Sequence, residues 1–313
     1  MHDTLESIIF SMLSTGFQKD VKPILLTNKT FYNNHFLWNK IINKPIQNKT
    51  TLLMSYAINN KYDRFKFLLD CGADINMVDS NNYNVFIYAL CGNDKNAMHK
   101  CESCNLKIIE ELLNSPQKIK NIEQSIYYAI QINYLEAIKL ICKYNFNINY
   151  NYLNYGTPMT FAINCNYAEI CYELWKKGAD INSVDSKYHT FLMTAIYNNM
   201  NYEIIEEILK NKPNINALDI HGCSALNYAI SNEKIDIVKL LIAYKADINS
   251  INIRGESCLM YAIVKKNVEI INILCDNKVN INYRNLGFDA IKYANKLKYD
   301  DIEKLLKKRL KKY

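Results

Sequence analysis

Glycine and proline are scarce in this chain, eight and five residues of 313. No Gly-x-x-x-x-Gly-Lys-Ser/Thr or Gly-x-Gly-x-x-Gly run occurs, so the backbone loops that cradle phosphates are missing. His-Glu-x-x-His and Gly-x-Ser-x-Gly are absent too, which removes the common zinc-hydrolase and esterase signatures. The five histidines, His2, His35, His99, His189 and His221, are dispersed. These absences predict a non-enzyme without a cofactor. The opening Met1-His2-Asp3-Thr4-Leu5-Glu6 is acidic where a secretory leader would be basic. Ten cysteines show no regular pairing. An intracellular, cytoplasmic protein is expected, in a reducing compartment. The uncharged stretch 144–168 carries seven asparagines and Pro158, amides that lipid would not tolerate, so no membrane span is expected.

What is present is hydrophobic and mildly basic: 49% apolar residues and a formal charge of +7. The apolar content excludes general disorder. The charge accompanies many Asn, Ile, Lys and Tyr, residues of A/T-rich codons, and is read as coding bias rather than as a nucleic-acid footprint. The cluster Lys304 to Lys312 is read as the solvated face of a capping helix. Nucleic-acid or acidic-surface binding by that tail is the alternative.

Alanines recur with a period. Ala57, Ala89, Ala129, Ala162, Ala195, Ala229, Ala262 and Ala294 follow one another at nearly constant spacing, with one longer step after Ala89. About half a period after most of them comes Asp/Asn-Ile-Asn: Asp74-Ile75-Asn76, Asn147-Ile148-Asn149, Asp180-Ile181-Asn182, Asn214-Ile215-Asn216, Asp247-Ile248-Asn249 and Asn280-Ile281-Asn282. A fixed period of about 33 residues marks a stacked helix-pair array, an extended binding surface. One unit runs from Asp219 to Asn252. Asp219-Ile220-His221-Gly222 is turn chemistry, Ser224 caps a first helix through Ala229, and Ile235 to Ile242 has helical apolar spacing. Glu169, Glu203, Asp236 and Glu269 open second helices, where they suit the helix dipole. Cys142, Cys165, Cys171, Cys223, Cys258 and Cys275 read as small apolar core residues inside the repeats.

These units resemble the ankyrin repeat. Thr157-Pro158-Met159-Thr160-Phe161-Ala162 is close to that family's Thr-Pro-Leu-His-x-Ala helix start, with looser matches at Thr190 to Ala195, Ser224 to Ala229 and Ser257 to Ala262. Gly72-Ala73-Asp74-Ile75-Asn76 and Gly178-Ala179-Asp180-Ile181-Asn182 match its Gly-Ala-Asp-x-Asn exit. The resemblance covers residues 47–313 as about eight units. It implies an all-α solenoid of stacked helix pairs with hairpin connections, binding a protein as a monomeric scaffold. Two departures stand out. Ala89 and Ile109 stand more than twice as far apart in sequence as Ala229 and Val238, which predicts an insertion at about 92–105. The exit near Ser115-Pro116-Gln117 lacks the Asp-Ile-Asn mark and predicts a shortened hairpin.

Residues 1–46 do not fit the repeat. An opening amphipathic helix (Leu5, Ile8, Ile9, Leu13), then Leu25-Leu26, Phe31 and Leu37-Trp38 resemble an F-box, with Asp3-Thr4 in place of that family's Leu-Pro. The resemblance implies docking onto a Skp-family adaptor of a cullin–RING ubiquitin ligase. The alternative is a helical cap on the first repeat. An F-box joined to ankyrin repeats in an A/T-rich chain resembles proteins of large DNA viruses, for which the location would be host cytoplasm.

The insertion holds Cys101-Glu102-Ser103-Cys104, with Cys91 and His99 nearby, four residues of types that bind zinc. Finger-type sites use two spaced Cys pairs, so a polar loop with incidental cysteines is the preferred reading and no metal is expected. Ankyrin partners usually touch hairpin tips and the edge of the first helix. By position those are Ser80, Asn81 and Tyr83 in the second repeat, and Ser186, Lys187, His189 and Tyr197 in the fifth. In the sixth they are Ile220, His221 and Cys223, and in the seventh Ile253, Arg254 and Glu256. Tyr83 and Tyr197 are the expected anchors.

Overall fold

Most of the described first helices are short because they are punctuated at both ends. In the computed structural model, Thr51, Thr157, Thr190 and Ser257 accept the backbone N–H three residues on, at 3.2–3.3 Å, and Asp289 does so at 2.9 Å. Each cap stabilises its helix by about 1 kcal/mol. The far end turns on a residue with positive φ, among them Asn60, Asn133, Asn166, Asn199, Glu233 and Lys266. The structure describes residues 42–91, 106–120, 122–144, 147–151 and 155–311. The chain divides at Tyr152/Leu153 into two compact units.

Unit 1 contains α1 (Leu52–Ile58), α2 (Tyr62–Asp70), α3 (Val85–Cys91), α4 (Leu106–Asn114), α5 (Ile122–Gln131) and α6 (Leu135–Ile141). Unit 2 contains α7 (Pro158–Asn164), α8 (Ala168–Lys176), α9 (Phe191–Tyr197), α10 (Tyr202–Lys210) and α11 (Ala225–Ser231). It continues with α12 (Ile235–Ala243), α13 (Cys258–Val264), α14 (Val268–Asp276), α15 (Ala290–Lys296) and α16 (Asp300–Leu310). Within each unit the architecture is an all-α stack of helix pairs. First helices touch first helices and second helices touch second helices: α1 on α3 and α2 on α4, α11 on α13 and α12 on α14. The periodic alanines have no exposed surface at all. A larger side chain there would push the helices apart, which is why the residue is small.

The first helix pair corrects one detail of the period. Tyr167, Met200 and Lys234 each donate their backbone N–H to the alanine five residues before them, Ala162, Ala195 and Ala229. The corresponding bond from Lys61 goes to Tyr56, not Ala57. Tyr56 therefore holds the alanine position in α1, one residue earlier than the sequence period places it. Its phenol is raised above its ordinary pKa by burial.

The Asp/Asn-Ile-Asn motif has two jobs. Its first residue accepts the N–H two residues on, as Asp180 does from Asn182 at 2.9 Å and Asp247 from Asn249 at 2.9 Å, an Asx turn. Its last residue reaches the next repeat. In unit 2, Asn182, Asn216 and Asn249 accept the backbone N–H of Asn214, Asp247 and Asn280 at 2.8, 2.9 and 2.8 Å. Unit 1 shows the same rung upstream of its first helix pair. Asn43 accepts Asp74 N–H at 2.9 Å, and Ile42 beside it is 1% exposed. After α4 the motif is missing, and Gln117 stands in. Its amide donates to Ala73 O at 2.8 Å and accepts from Ile75 N–H at 3.2 Å, while Lys120 N–H donates to Asn76 at 2.7 Å.

At the end of unit 2, Ile302 and Leu306 of α16 are buried. Arg309 bonds Asp276 and Asn272 of α14, and Glu303 pairs with Lys307. Arg309 is thus a clip to the preceding pair. None of the described helices is long and apolar enough to cross a membrane. Residues Leu5 to Trp38 of the F-box-like stretch lie outside the described residues, as do His99, Cys101 and Cys104.

Candidate interaction surface

Three successive hairpins in unit 2 are each organised by one buried Asp or Asn. Asp185 accepts the backbone N–H of Lys187 and His189, both at 2.8 Å. Asp219 does the same for His221 and Cys223 at 2.8 Å, and Asn252 for Arg254 and Glu256 at 2.9 and 2.8 Å. The second polar atom of each side chain ties the hairpin down. Asp219 Oδ2 accepts the Tyr228 hydroxyl at 2.8 Å, Asn252 Nδ2 donates to the Tyr261 hydroxyl at 2.9 Å, and Asp185 Oδ2 lies 2.9 Å from His189 Nδ1. Asp185 and Asp219 are only 5% and 6% exposed. A buried carboxylate is tolerable here because several donors converge on it. Asp79 in unit 1 repeats the arrangement with Asn81, Tyr83 and the Tyr88 hydroxyl.

Successive hairpins are joined. Ile220 N–H donates to Lys187 O at 3.0 Å, Ile253 N–H to His221 O at 2.9 Å, and Asn285 Nδ2 to Arg254 O at 2.8 Å. Gly222, with φ +71°, allows this: a Cβ on it would lie 2.9 Å from Ile253 N. His189 adds a side-chain link, its Nε2 lying 3.9 Å from Asp219 Oδ2. The sequence treats His189 as a plain surface hairpin residue. The structure instead places it half-buried between two carboxylates, its ring edge-on to Tyr228 at 6.2 Å.

These contacts line two grooves in unit 2. One, of about 310 Å³, has walls of Tyr197, Tyr228 and Tyr261 with Cys223, Ile253 and Arg254. The other, of about 360 Å³, lies between His189, Tyr197, His221 and Tyr228. Tyr197 stands edge-on to Tyr228 at 6.3 Å and keeps 55% of its surface exposed. Burial, then the bond to Asp219, pushes the Tyr228 phenol well above the usual range, and burial does the same for Tyr261. Both stay neutral at physiological pH. The Cys223 thiol is likewise raised by burial and sits 3.4 Å from the Tyr261 hydroxyl. Cys223 thus belongs to the groove, whereas Cys171, Cys258 and Cys275 are core residues. Cys142 and Cys165 are partly buried. The Cys258 thiol is pushed up to about 11, chiefly by burial.

Of the positions singled out from the sequence, the unit 2 grooves gather Lys187, His189, Tyr197, His221, Cys223, Ile253 and Arg254. Ser186 and Ile220 are exposed, and Glu256 accepts Asn252 Nδ2 at 2.8 Å. In unit 1, Ser80 and Asn81 are exposed; Tyr83 is partly buried, edge-on to Tyr128 at 6.0 Å. Sequence reasoning missed Asp79, Asp185, Asp219 and Asn252, and missed Tyr88, Tyr228 and Tyr261. A signal existed: the tyrosine directly before the periodic alanine recurs in most units. Of the zinc candidates only Cys91 is described, at the end of α3.

Comparison with known proteins agrees with this geometry. A model of three ankyrin repeats matches residues 97–185 and 166–252, and a single ankyrin-repeat model matches 48–80 and 254–286. A putative ankyrin repeat protein of Acanthamoeba polyphaga mimivirus is 40% identical over 57 residues, covering 17% of this chain. Another from Fowlpox virus (strain NVSL) is 27% identical over 235 residues, covering 68% of this chain. The chain spans only 10% and 37% of those relatives' own lengths. The crystal structure of an ankyrin repeat domain from Acinetobacter baumannii AYE superposes with a TM-score of 0.52 at 23% identity, covering 60% of this chain and 98% of that one. With helix pairs, linked hairpins and family models in agreement across most of the chain, the protein belongs to the ankyrin-repeat family.

Proposed function

We propose that this chain is a non-enzymatic scaffold that captures a protein through the hairpin and first-helix face of unit 2. The observation that supports it most is the division of labour in the groove. Its carboxylates, phenols and His189 are engaged with one another, while Tyr197, Ile220 and Ile253 remain exposed at 55%, 42% and 71%. Rigid aromatic and apolar groups on a fixed framework are what a protein interface uses as anchors. The test is retention of partners from eukaryotic lysate by the wild type and by Tyr197→Ala/Ile220→Ser. The double variant loses a specific partner at an unchanged melting temperature. Loss of folding would instead mean these side chains are structural.

A finer reading makes the protein a substrate receptor, with residues 1–46 docking a Skp-family adaptor. The bond from Asp74 to Asn43 and the burial of Ile42 favour the second reading, in which at least the end of this segment caps the first helix pair. Comparing the full chain with one starting at Gln47 separates them. An F-box predicts that adaptor and cullin are retained only by the full chain. A cap predicts retention by neither and a lower melting temperature for the truncated chain.

A further inference from the structure

The outward residues of the unit 2 hairpins are aliphatic and cationic. Ile220, Ile253 and Leu286 follow one another at one full period of the repeat. They are 42%, 71% and 90% exposed. Each comes directly after the Asp or Asn at the base of its hairpin. Ile220 and Ile253 are in register on successive hairpins, and Leu286 sits at the tip of the next, a shorter one closed by Asn285 and Phe288; apolar tips on three successive hairpins are not scattered singles.

The exposed charged side chains of these hairpins are cations: Lys187 and Arg254 stand two residues after Asp185 and Asn252, with His221 at that place between them, and Arg284 stands just before Asn285. Lys187, Arg254 and Arg284 are exposed, and among the described residues no salt bridge engages them. The hairpins' own anions are committed elsewhere. Asp185 and Asp219 are buried under converging donors, Glu256 is bound to Asn252, and Asp289 caps α15. The charged groups that these hairpins leave exposed beside the apolar ones are therefore cations, available to pair with carboxylates.

The step length of this face selects the shape of the partner. Strand-like arms lie ~4.8 Å apart, and the backbone of one hairpin bonds the next at Ile220 and Ile253, so the tips advance by ~10 Å per repeat. A polyproline II chain returns the same face every three residues, or ~9.3 Å, close to that step. A β-strand returns its face every ~6.8 Å and falls out of step. The adjoining groove is walled by Tyr197, Tyr228 and Tyr261, the aromatic lining against which proline rings dock.

We propose that this face takes an acidic, proline-rich segment of a partner protein in polyproline II conformation, with an aliphatic side chain at every third position facing Ile220, Ile253 and Leu286. The proposal rests on the scaffold reading above and specifies its partner.

The probe is a fluorescent peptide of four Pro-Glu-Leu triplets, titrated with the full chain and followed by anisotropy. Two controls accompany it, four Pro-Lys-Leu triplets and an alternating Glu-Leu peptide of equal length. The acidic triplet peptide is expected to bind saturably, about tenfold tighter than either control, and to weaken with salt. Ile253→Ser and Arg254→Glu each weaken it about fivefold or more, with the melting temperature unchanged. Equal binding of the lysine peptide, or no saturable binding of the acidic one, overturns the proposal. If the acidic peptide fails while Tyr197→Ala/Ile220→Ser still loses a lysate partner, the scaffold reading stands and this partner chemistry falls. Dimerisation abolished by Ile253→Ser would assign the face to a second copy of the chain, and would also overturn it.

Discussion

Unit 1 and unit 2 each contain a Tyr-Lys-Glu clasp on their second helices, and the two are built differently. In unit 1, Tyr62 and Lys66 of α2 bond Glu111 of α4 at 2.8 and 2.5 Å. In unit 2, Tyr172 and Lys176 of α8 bond Glu207 of α10 at 2.9 and 2.5 Å. The acceptor holds the same place in two helices that share the run Ile-Ile-Glu-Glu, Leu-Lys-Ile-Ile-Glu-Glu-Leu-Leu-Asn and Tyr-Glu-Ile-Ile-Glu-Glu-Ile-Leu-Lys. The donors do not. Tyr62 and Lys66 are the first and fifth residues of α2, while Tyr172 and Lys176 are the fifth and ninth of α8, one turn further along. Three of the four buried hairpin clips show no such drift; Asp185, with Thr194 nine residues on, turns to His189 instead. Asp79–Tyr88, Asp219–Tyr228 and Asn252–Tyr261 all span nine residues. A long exposed side chain can reach a carboxylate from either turn, whereas a buried carboxylate needs every donor at one place. What all four buried residues keep is the backbone: Asp79, Asp185, Asp219 and Asn252 each accept the N–H two and four residues on, so buried backbone contacts hold the repeat register and exposed side-chain ones wander.

That contrast ranks the consequences of substitution. Asp219→Ala has the largest expected effect. It strips the acceptor from two backbone N–H groups and the Tyr228 hydroxyl, and should lower unfolding free energy by about 3 kcal/mol in urea titration. Gly222→Ala comes next, at about 2 kcal/mol, because φ +71° is strained for alanine and its Cβ would press on Ile253 N. The same substitution at Gly178, where nothing lies within 4 Å, retains only the backbone strain and serves as its control. Tyr228→Phe should cost about 1 kcal/mol by the same titration, since it removes one hydroxyl donor and leaves Asp219 its backbone partners.

The exposed clasps come last. The Lys66 and Tyr62 hydrogen bonds hold Glu111 below the usual carboxylate range, and Lys176 and Tyr172 do so for Glu207. A depressed folded-state pKa means stability that is present above the ordinary carboxylate pKa of about 4.3 and is lost as pH falls through the folded value. With Glu111 27% and Lys66 38% exposed, the contribution is under about 1 kcal/mol. Glu111→Gln should leave a slightly flatter acid limb in a plot of melting temperature against pH, and little change at pH 7. A loss as large as that of Asp219→Ala would break the distinction between buried and exposed contacts.

The same physics governs what could be read from the sequence. The periodic alanines, the helix starts at Thr157, Thr190 and Ser257, and the Asp/Asn-Ile-Asn mark were legible because burial fixes them and the fold repeats them. The mark's second job, the rung from Asn216 to Asp247, is a side-chain-to-backbone bond that no residue pattern displays. Tyr56 escaped because Ala57 beside it is also fully buried and mimics the period. Gln117 escaped because it occurs once, replacing a motif by reaching the backbone of Ala73 and Ile75 itself. At the interaction surface, exposure of Ile220 and Ile253 was predictable from their place beside a turn. The setting of His189 between Asp185 and Asp219 was not, since it joins residues of two different hairpins.

The most direct test of the central claim compares two photo-crosslinking positions on the full chain in eukaryotic lysate. One crosslinker replaces Ile253 in the hairpin row, 71% exposed, and the other replaces Val268 on the second helix α14, 46% exposed. A discrete crosslinked protein is expected from position 253, disappearing in the Tyr197→Ala/Ile220→Ser background, and none from position 268. Crosslinking from 268 alone, or from 253 regardless of that background, would contradict the claim.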